Sequence, residues 1–339
     1  CHAVPRQELD YFPLSVDYRE AVFAAGKIPG GWFKREGKAT TKETLTSRLI
    51  DRPLRPLFEE GYNAEVMVTA QVISYDGIHA PETLAMTGAS AALIISEIPF
   101  HQPVGGVRVG RVRGEFIINP TTQQRKESDL DLLIAGTQEA IVMVECGAQE
   151  VNEADMVQAL VFGHTHIKSL AKFQEDFRAK VGKAKVKVEK KVLDAALLQS
   201  ITTSYREDLL KALTLRNKLE SYKAIDLLKA SAVEVHTVDQ PELKTEVKAC
   251  FDHLKESLFR EVILKKGERL DGRRFDQIRP LNIEIGLLPG AHGSALFTRG
   301  ETQALVTTTL GTQDDIQIIE GLEEEMKKSF FLHYNFPGY

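Results

Sequence analysis

Apolar and polar positions divide the chain into three stretches of different character. In the first, Phe12, Leu14 and Val16 alternate with Pro13, Ser15 and Asp17, the period-two signature of a strand with one buried face. A glycine-bearing turn follows at Gly26 and Gly30-Gly31. Thr40 and Glu43 have the spacing of a capping box, and Leu45 and Leu49 recur one turn apart beyond it, which predicts a helix after Thr40. Pro53 is expected to end that helix near Arg52, because its ring clashes with the carbonyl four residues back. Residues 66–74 read as a strand, 82–94 as a small-residue helix suited to close packing, and 108–119 as a hairpin turning at Arg113-Gly114. Two more apolar strands are expected over 130–136 and 140–146, then a helix over 153–180. Strands covered by helices make an α+β domain.

The character changes near Gly182. Residues 191–262 contain no glycine and a single proline, and Leu193, Leu197, Leu198 and Ile201 follow a 3.6-residue period, so an all-helical module is expected. The sheet pattern returns from Leu264. Ile283 and Ile285 alternate with Asn282 and Glu284; residues 294–298 and 302–309 read as strands about a turn at Arg299-Gly300; further strands are expected over 316–319 and 330–336. The aromatic-led segment 11–18 is echoed by 330–336, which hints at the back of one domain copy and the front of another.

Composition narrows the class. The 339 residues are 43% hydrophobic and 27% charged, ordinary for a globular chain, and the length predicts two or three domains. No run of 18 apolar residues suggests a membrane span, and no secretory signal is visible. The chain opens at Cys1 in mid-pattern, so residues before it are expected. Cys1, Cys146 and Cys250 lie far apart without a C-x-x-C spacing, which fits a reducing compartment and no disulfide framework. His164 and His166 lack companions at zinc spacing and read as surface or cap histidines.

The net charge is −5, yet basic residues cluster locally. Residues 27–56 carry eight (Lys27, Lys34, Arg35, Lys38, Lys42, Arg48, Arg52, Arg55) against three acids, an excess of five. Residues 180–191 hold six lysines against Glu189, and a solvated linker is expected there. In the first island, Gly30-Gly31-Trp32-Phe33-Lys34-Arg35-Glu36-Gly37 joins a free backbone, two stacking faces and two cations, a mixture that suits single-stranded nucleic acid. A loop with inward aromatics and wet charges fits the same residues. Arg48, Arg52 and Arg55 fall at i, i+4 and i+7 on one helix face, a phosphate surface unless ion pairs such as one with Asp51 use them up. Arg269-Leu270-Asp271-Gly272-Arg273-Arg274 is a turn flanked by arginines, and residues 292–302 form a hairpin with a charged tip. No paired carboxylates, Ser-His-Asp set or phosphate-binding glycine loop emerges from spacing.

At these residues the sequence resembles the polynucleotide phosphorylase (polyribonucleotide nucleotidyltransferase) family, the bacterial and organellar phosphorolytic 3′-to-5′ exoribonucleases. Residues 27–37 resemble the family's aromatic–basic loop, and residues 46–58 (Thr-Ser-Arg-Leu-Ile-Asp-Arg-Pro-Leu-Arg-Pro-Leu-Phe) its arginine helix. Arg269 to Arg273 resembles the R-x-D-G-R opening of the second core domain, and residues 292–303 and 333–337 its first strands. The resemblance implies two RNase PH-like (ribosomal protein S5 domain 2-like) α+β cores, both truncated here, joined by an all-α domain. The implied boundaries are 1–182, 183–262 and 263–339.

It implies further that Phe33, Lys34 and Arg35 hold RNA, with Trp32 where the family has Phe. Arg48, Arg52 and Arg55 would lie near the RNA path, and Arg273 and Arg299 would be RNA or phosphate contacts. Inorganic phosphate would be co-substrate and Mg²⁺ the metal, neutralising charge on the transferring phosphoryl group. The catalytic groups are expected beyond Tyr339. Single-stranded RNA, a homotrimer around a channel, RNA-degradation machinery and no membrane are the implied partners. The implied location is the bacterial cytoplasm, with an organellar origin also open. A catalytically silent RNA-binding or scaffold fragment is the alternative, and a small-molecule phosphorylase or kinase a remote third.

Overall fold

The computed structural model describes residues 12–29, 36–188, 193–215, 217–238, 240–323 and 325–336. Strand β1 (Leu14–Glu20) pairs in parallel with β2 (Val66–Val72), from Leu14 opposite Val66 to Glu20 opposite Val72. Parallel neighbours need a crossover, and helix α1 (Thr41–Leu54) supplies it. Its capping box forms as the spacing required: Thr40 Oγ1 accepts from Glu43 N at 3.1 Å and Glu43 Oε2 accepts from Thr40 N at 2.6 Å.

Pro53 does not end α1 near Arg52. The helix runs to Leu54 and tightens into a 3-10 turn over Arg55–Leu57. Pro53 costs the helix one hydrogen bond, but it is buried with Ile50 and Leu54, and that apolar packing holds the turn in place. Helix α2 (Glu82–Ile95) closes the layer. Tyr18, Ile50, Leu54, Met86, Ile94 and Phe100 are fully buried in the core between these elements. Each such side chain contributes roughly 1.5–3 kcal/mol relative to exposure.

The next sheet is antiparallel, in the order β4-β3-β5-β6: β3 (Gly105–Val112), β4 (Glu115–Ile118), β5 (Leu130–Gly136) and β6 (Ile141–Ala148). The hairpin turns at Arg113 and Gly114, both with positive φ (54° and 84°), the signature of a tight turn that follows strand twist. Helix α3 (Thr122–Glu127) was legible as a second capping box, Thr121 with Gln124, but the sequence reading passed over it. Helix α4 (Glu153–Val181) lies across this sheet.

The second unit opens with α5 (Ala195–Leu213), α6 (Lys218–His236) and α7 (Lys244–Lys266), packed around Ile201, Leu209, Phe251 and Leu258. A three-stranded antiparallel sheet follows: β7 (Leu281–Ile285), β8 (Gly293–Arg299) and β9 (Thr302–Thr308), in that order. The short hairpin β10 (Gln317–Ile319) and β11 (Met326–Lys328) comes last in the chain and belongs to the first unit. The strand expected over 330–336 does not form. Among the described residues its backbone has no strand partner, and Phe330, Leu332, Tyr334 and Phe336 are exposed.

By contacts, residues 1–190 and 313–339 make one compact unit and residues 191–312 the other. The helical module and β7–β9 lie within the second of these units.

Candidate nucleic-acid interface

Trp32, Phe33, Lys34 and Arg35 lie outside the described residues. The helix beside them is described, and its three arginines have different fates. Arg55 donates to Asp51 at two points, Nη2 to Oδ1 at 2.6 Å and Nε to Oδ2 at 2.9 Å. Its remaining donors reach the carbonyls of Phe12 and Leu14, both at 3.0 Å. The guanidinium therefore ties α1 to the start of β1. Arg52 pairs with Glu145 on β6 at 2.7 Å, with both side chains half exposed. Arg48 is exposed and makes no ion pair among the described residues.

Two lysines of the same basic island are also committed. Lys27 Nζ donates to the main-chain oxygens of Gly321 and Leu322 at 2.9 and 3.1 Å. Lys42 Nζ lies 2.9 Å from Glu20, 3.6 Å from Glu82 and 3.5 Å from Glu323. The Glu20 and Glu82 side chains are nearly buried. Burial pulls the Lys42 pKa down, but Glu82 and then Glu20 outweigh it, and the ammonium titrates above its ordinary value. Tyr18 donates to Glu20 at 2.7 Å, and burial together with that bond pushes the phenol well above its usual range.

Lys42 and Arg52 are thus paired with carboxylates far away in sequence, Arg55 with Asp51 inside the island, and Lys27 is held by distant carbonyls. A window count cannot see the distant partners. Arg48 and Lys38 are the described cations of the island left exposed with neither an ion pair nor a side-chain hydrogen bond among the described residues; Lys27, also exposed, bonds only to carbonyls.

The described part of the lysine-rich stretch after α4 is not a free linker. Lys183 N donates to Ile95 O at 2.9 Å and Val186 N to Glu97 O at 2.8 Å, while Lys185 Nζ caps the end of α2 through Leu93 O and Ser96 O, both at 2.8 Å. The backbone groups left over at a helix C-terminus recruit it.

In the second unit Arg273 is held by Asp271, Nε to Oδ2 at 2.9 Å, and by Gln277 O at 2.9 Å, within a turn where Gly272 has φ 80°. Burial would raise the Asp271 pKa, but the bonds from Arg273 win and it is lowered. Arg299, at the end of β8, is exposed. His164 Nε2 lies 3.1 Å from Thr137 O, and among the described residues no group of three or more His, Cys, Asp or Glu could hold a metal ion.

Comparison with known proteins adds what geometry alone does not. The family model described as 3′ exoribonuclease family, domain 1, matches residues 2–99 and again 277–339. Domain 2 of that family matches residues 102–166. The model described as polyribonucleotide nucleotidyltransferase, RNA binding domain, matches residues 196–274. Polyribonucleotide nucleotidyltransferase from Persephonella marina is 48% identical over 334 residues, covering 98% of this chain and 47% of the relative. The chain belongs to the polyribonucleotide nucleotidyltransferase family. The Aquifex aeolicus relative is 48% identical over 336 residues, covering 99% of this chain and 43% of its own, and the Koribacter versatilis relative 46% over 340 residues, covering 100% and 42%. The chain spans a little under half the length of the relatives it matches. A crystal structure of rice (Oryza sativa) Rrp46 aligns over 51% of this chain and 77% of its own, at 15% identity and a TM-score of 0.41.

The family models give RNase PH-like cores with a helical region between them, an α+β architecture. The double match of one model agrees with the faint repeat read between 11–18 and 330–336. Sequence reasoning missed that the helical module is the part bearing an RNA-binding description. A Leu-Ala-Lys-Glu pattern is common to most helical bundles and carries no sign of a ligand.

Proposed function

We propose that this chain is part of a phosphorolytic 3′-to-5′ exoribonuclease acting on single-stranded RNA, including mRNA. In that reaction inorganic phosphate attacks the last 3′ phosphodiester and releases a nucleoside diphosphate; the reverse extends the RNA. The observation that carries the reading is the order of matches along the chain: exoribonuclease domains 1 and 2, the nucleotidyltransferase RNA-binding domain, then domain 1 again.

Within this reading the chain supplies grip rather than chemistry. Trp32 and Phe33 stack bases, Lys34 and Arg35 meet phosphates, and Arg48 and Arg299 remain available for backbone contact. Arg52 is half committed to Glu145, Arg55 ties α1 to β1, and Arg273 holds its own turn. The described residues do not fit a magnesium site. The neighbouring carboxylates Glu20, Glu43 and Glu82 are already taken up, Glu20 and Glu82 by the Lys42 ammonium and Glu43 by the main-chain N–H groups of Glu20 and Thr40. The Mg²⁺ and phosphate sites belong to other residues of the whole protein. Assembly as a homotrimer, work alongside RNA-degradation machinery and a cytoplasmic location are parts of the same proposal. Among the described residues no helix is long and apolar enough to cross a membrane.

The test is nucleoside diphosphate release from a 3′ single-stranded RNA, with phosphate and Mg²⁺ each supplied or withheld, for this chain and for the full-length protein. The expected result is release by the full-length protein only when both are present, with salt-sensitive RNA binding but no release by this chain. Release by this chain would place the reaction centre inside it. No release by the full-length protein, with RNA still bound, would favour the silent RNA-binding reading.

A further inference from the structure

Three consecutive residues of the turn between β10 and β11, Gly321, Leu322 and Glu323, meet the first core on both sequence flanks of the aromatic–basic loop. Before the loop stands Lys27, 294 residues earlier than Gly321. Its Nζ donates to Gly321 O at 2.9 Å, to Leu322 O at 3.1 Å and to Glu323 O. A lysine ammonium has three N–H donors, so none is left over for a phosphate. After the loop stands Lys42, in the first turn of α1, with Nζ 3.5 Å from Glu323 Oε1. Arg125 Nη1 approaches the same oxygen at 3.8 Å. Leu322 is 2% exposed and seats the turn. The loop's base is closed by one more bond, from Val22 N to Glu36 Oε1 at 2.8 Å.

Residues 28–41 thus leave the core between two lysines that one three-residue turn holds, and the turn belongs to the same compact unit. Fixing both flanks of a segment in advance lowers the ordering cost when that segment grips a ligand. Glu323 also sets two roles against each other. Acting on a polyanion through its charge alone, a carboxylate near the loop would weaken binding. As part of a fastening for the loop, it strengthens binding.

We infer that the 321–323 turn is a clamp that positions the aromatic–basic loop for single-stranded RNA, with Lys27 and Glu323 as positioning residues. This rests on the RNA-binding reading above and extends it to a distant part of the chain. Lys27, one of the eight cations of the basic island, then serves RNA binding without touching RNA.

The test is fluorescence anisotropy of a labelled single-stranded oligouridylate with the intact chain, over a salt series. The variants are Lys27→Met, Glu323→Ala, and each of these combined with Lys34→Ala and Arg35→Ala. Lys27→Met and Glu323→Ala are each expected to weaken binding roughly 3- to 10-fold, the order of the ordering cost of one or two side chains. The log–log salt slope is expected to stay within about 0.3 of the unmodified chain's, because no phosphate contact is lost. In the Lys34→Ala, Arg35→Ala background neither substitution is expected to weaken binding further, since sites that act through one another are not additive. A slope shallower by about 0.7 in Lys27→Met would make its ammonium a direct phosphate contact and overturn the clamp. Equal or tighter binding in Glu323→Ala, or losses that persist in full in the double-alanine background, would overturn it too. A loss matched by an equal fall in folded fraction, read by circular dichroism in the same buffer, would leave only a structural role and overturn it as well. No RNA binding by the unmodified chain, or unchanged affinity and slope in Lys34→Ala with Arg35→Ala alone, would overturn the loop reading itself and the clamp with it.

Discussion

Asp51 and Arg55 close a two-point ion pair across one turn of α1, at 2.6 and 2.9 Å, and the same guanidinium reaches back to the carbonyls of Phe12 and Leu14. The pair therefore fastens the crossover helix to the strand it serves. Arg55→Ala is expected to cost about 1–2 kcal/mol of stability, the lower part of the range for hydrogen bonds to a charged group because the site is partly exposed. Arg48→Ala should change stability by less than about 0.5 kcal/mol, as for an ordinary surface position, while weakening RNA binding. Urea denaturation of the two variants checks this. Equal stabilities would show that the Arg55 bonds add nothing.

Lys42 joins β1, α2 and the β10–β11 segment through Glu20, Glu82 and Glu323. Removing it strands two nearly buried carboxylates. Breaking such a pair costs roughly 3–5 kcal/mol when fully buried. The Lys42 side chain is 38% exposed, so solvent reduces the expected loss for Lys42→Met to about 2–3 kcal/mol. Glu82→Gln in that background should recover part of it by removing one unpaired charge. A loss below about 1 kcal/mol in Lys42→Met would contradict the role assigned to it.

Gly163 lets α4 approach the second sheet. A methyl group there would collide with Ile134 Cδ1 and meet Val109 Cγ2 at 2.9 Å, and both residues are fully buried. Gly163→Ala is expected to lose about 1–3 kcal/mol through overpacking. Gly147→Ala has open space around it and should be near neutral. Thermal unfolding of both variants separates close packing from a general dislike of added side chains.

Lys185 brings a pH signature. Burial first, and the Arg178 charge second, push its pKa down to about 8 from the ordinary 10.5. Between those values the unfolded chain binds more protons than the folded one, so this lysine makes stability rise with pH in that window. Below about pH 8 the cost of holding it charged is fully present. Urea denaturation across that window should show a steeper rise for the unmodified chain than for Lys185→Met. Identical slopes would mean that the ammonium is held at no cost.

What the sequence discloses follows the reach of each signal. The Thr40–Glu43 capping box, the 130–136 strand and the helical stretch after 193 rest on neighbours within a few residues, and all three form. Pro53 and the lysine-rich stretch after α4 read differently in the structure, because their outcome depends on a distant core and on the exposed end of α2. The arginine row is mixed: the Asp51 partner of Arg55 is legible one turn away, whereas Glu145 for Arg52 and the Phe12 and Leu14 carbonyls for Arg55 are distant in sequence and only the structure reveals them. The 330–336 segment has the composition of a strand and, among the described residues, no strand to pair with, which no local pattern can announce.

The measurement that bears most directly on the central claim is the salt dependence of single-stranded RNA binding by the intact chain, with and without Lys34→Ala and Arg35→Ala. If the aromatic–basic loop grips the RNA backbone, the double variant binds more weakly and its log–log salt slope falls by about 1.4, two phosphate contacts at about 0.7 each. An unchanged slope and affinity would remove the loop from the RNA path and contradict the proposed grip.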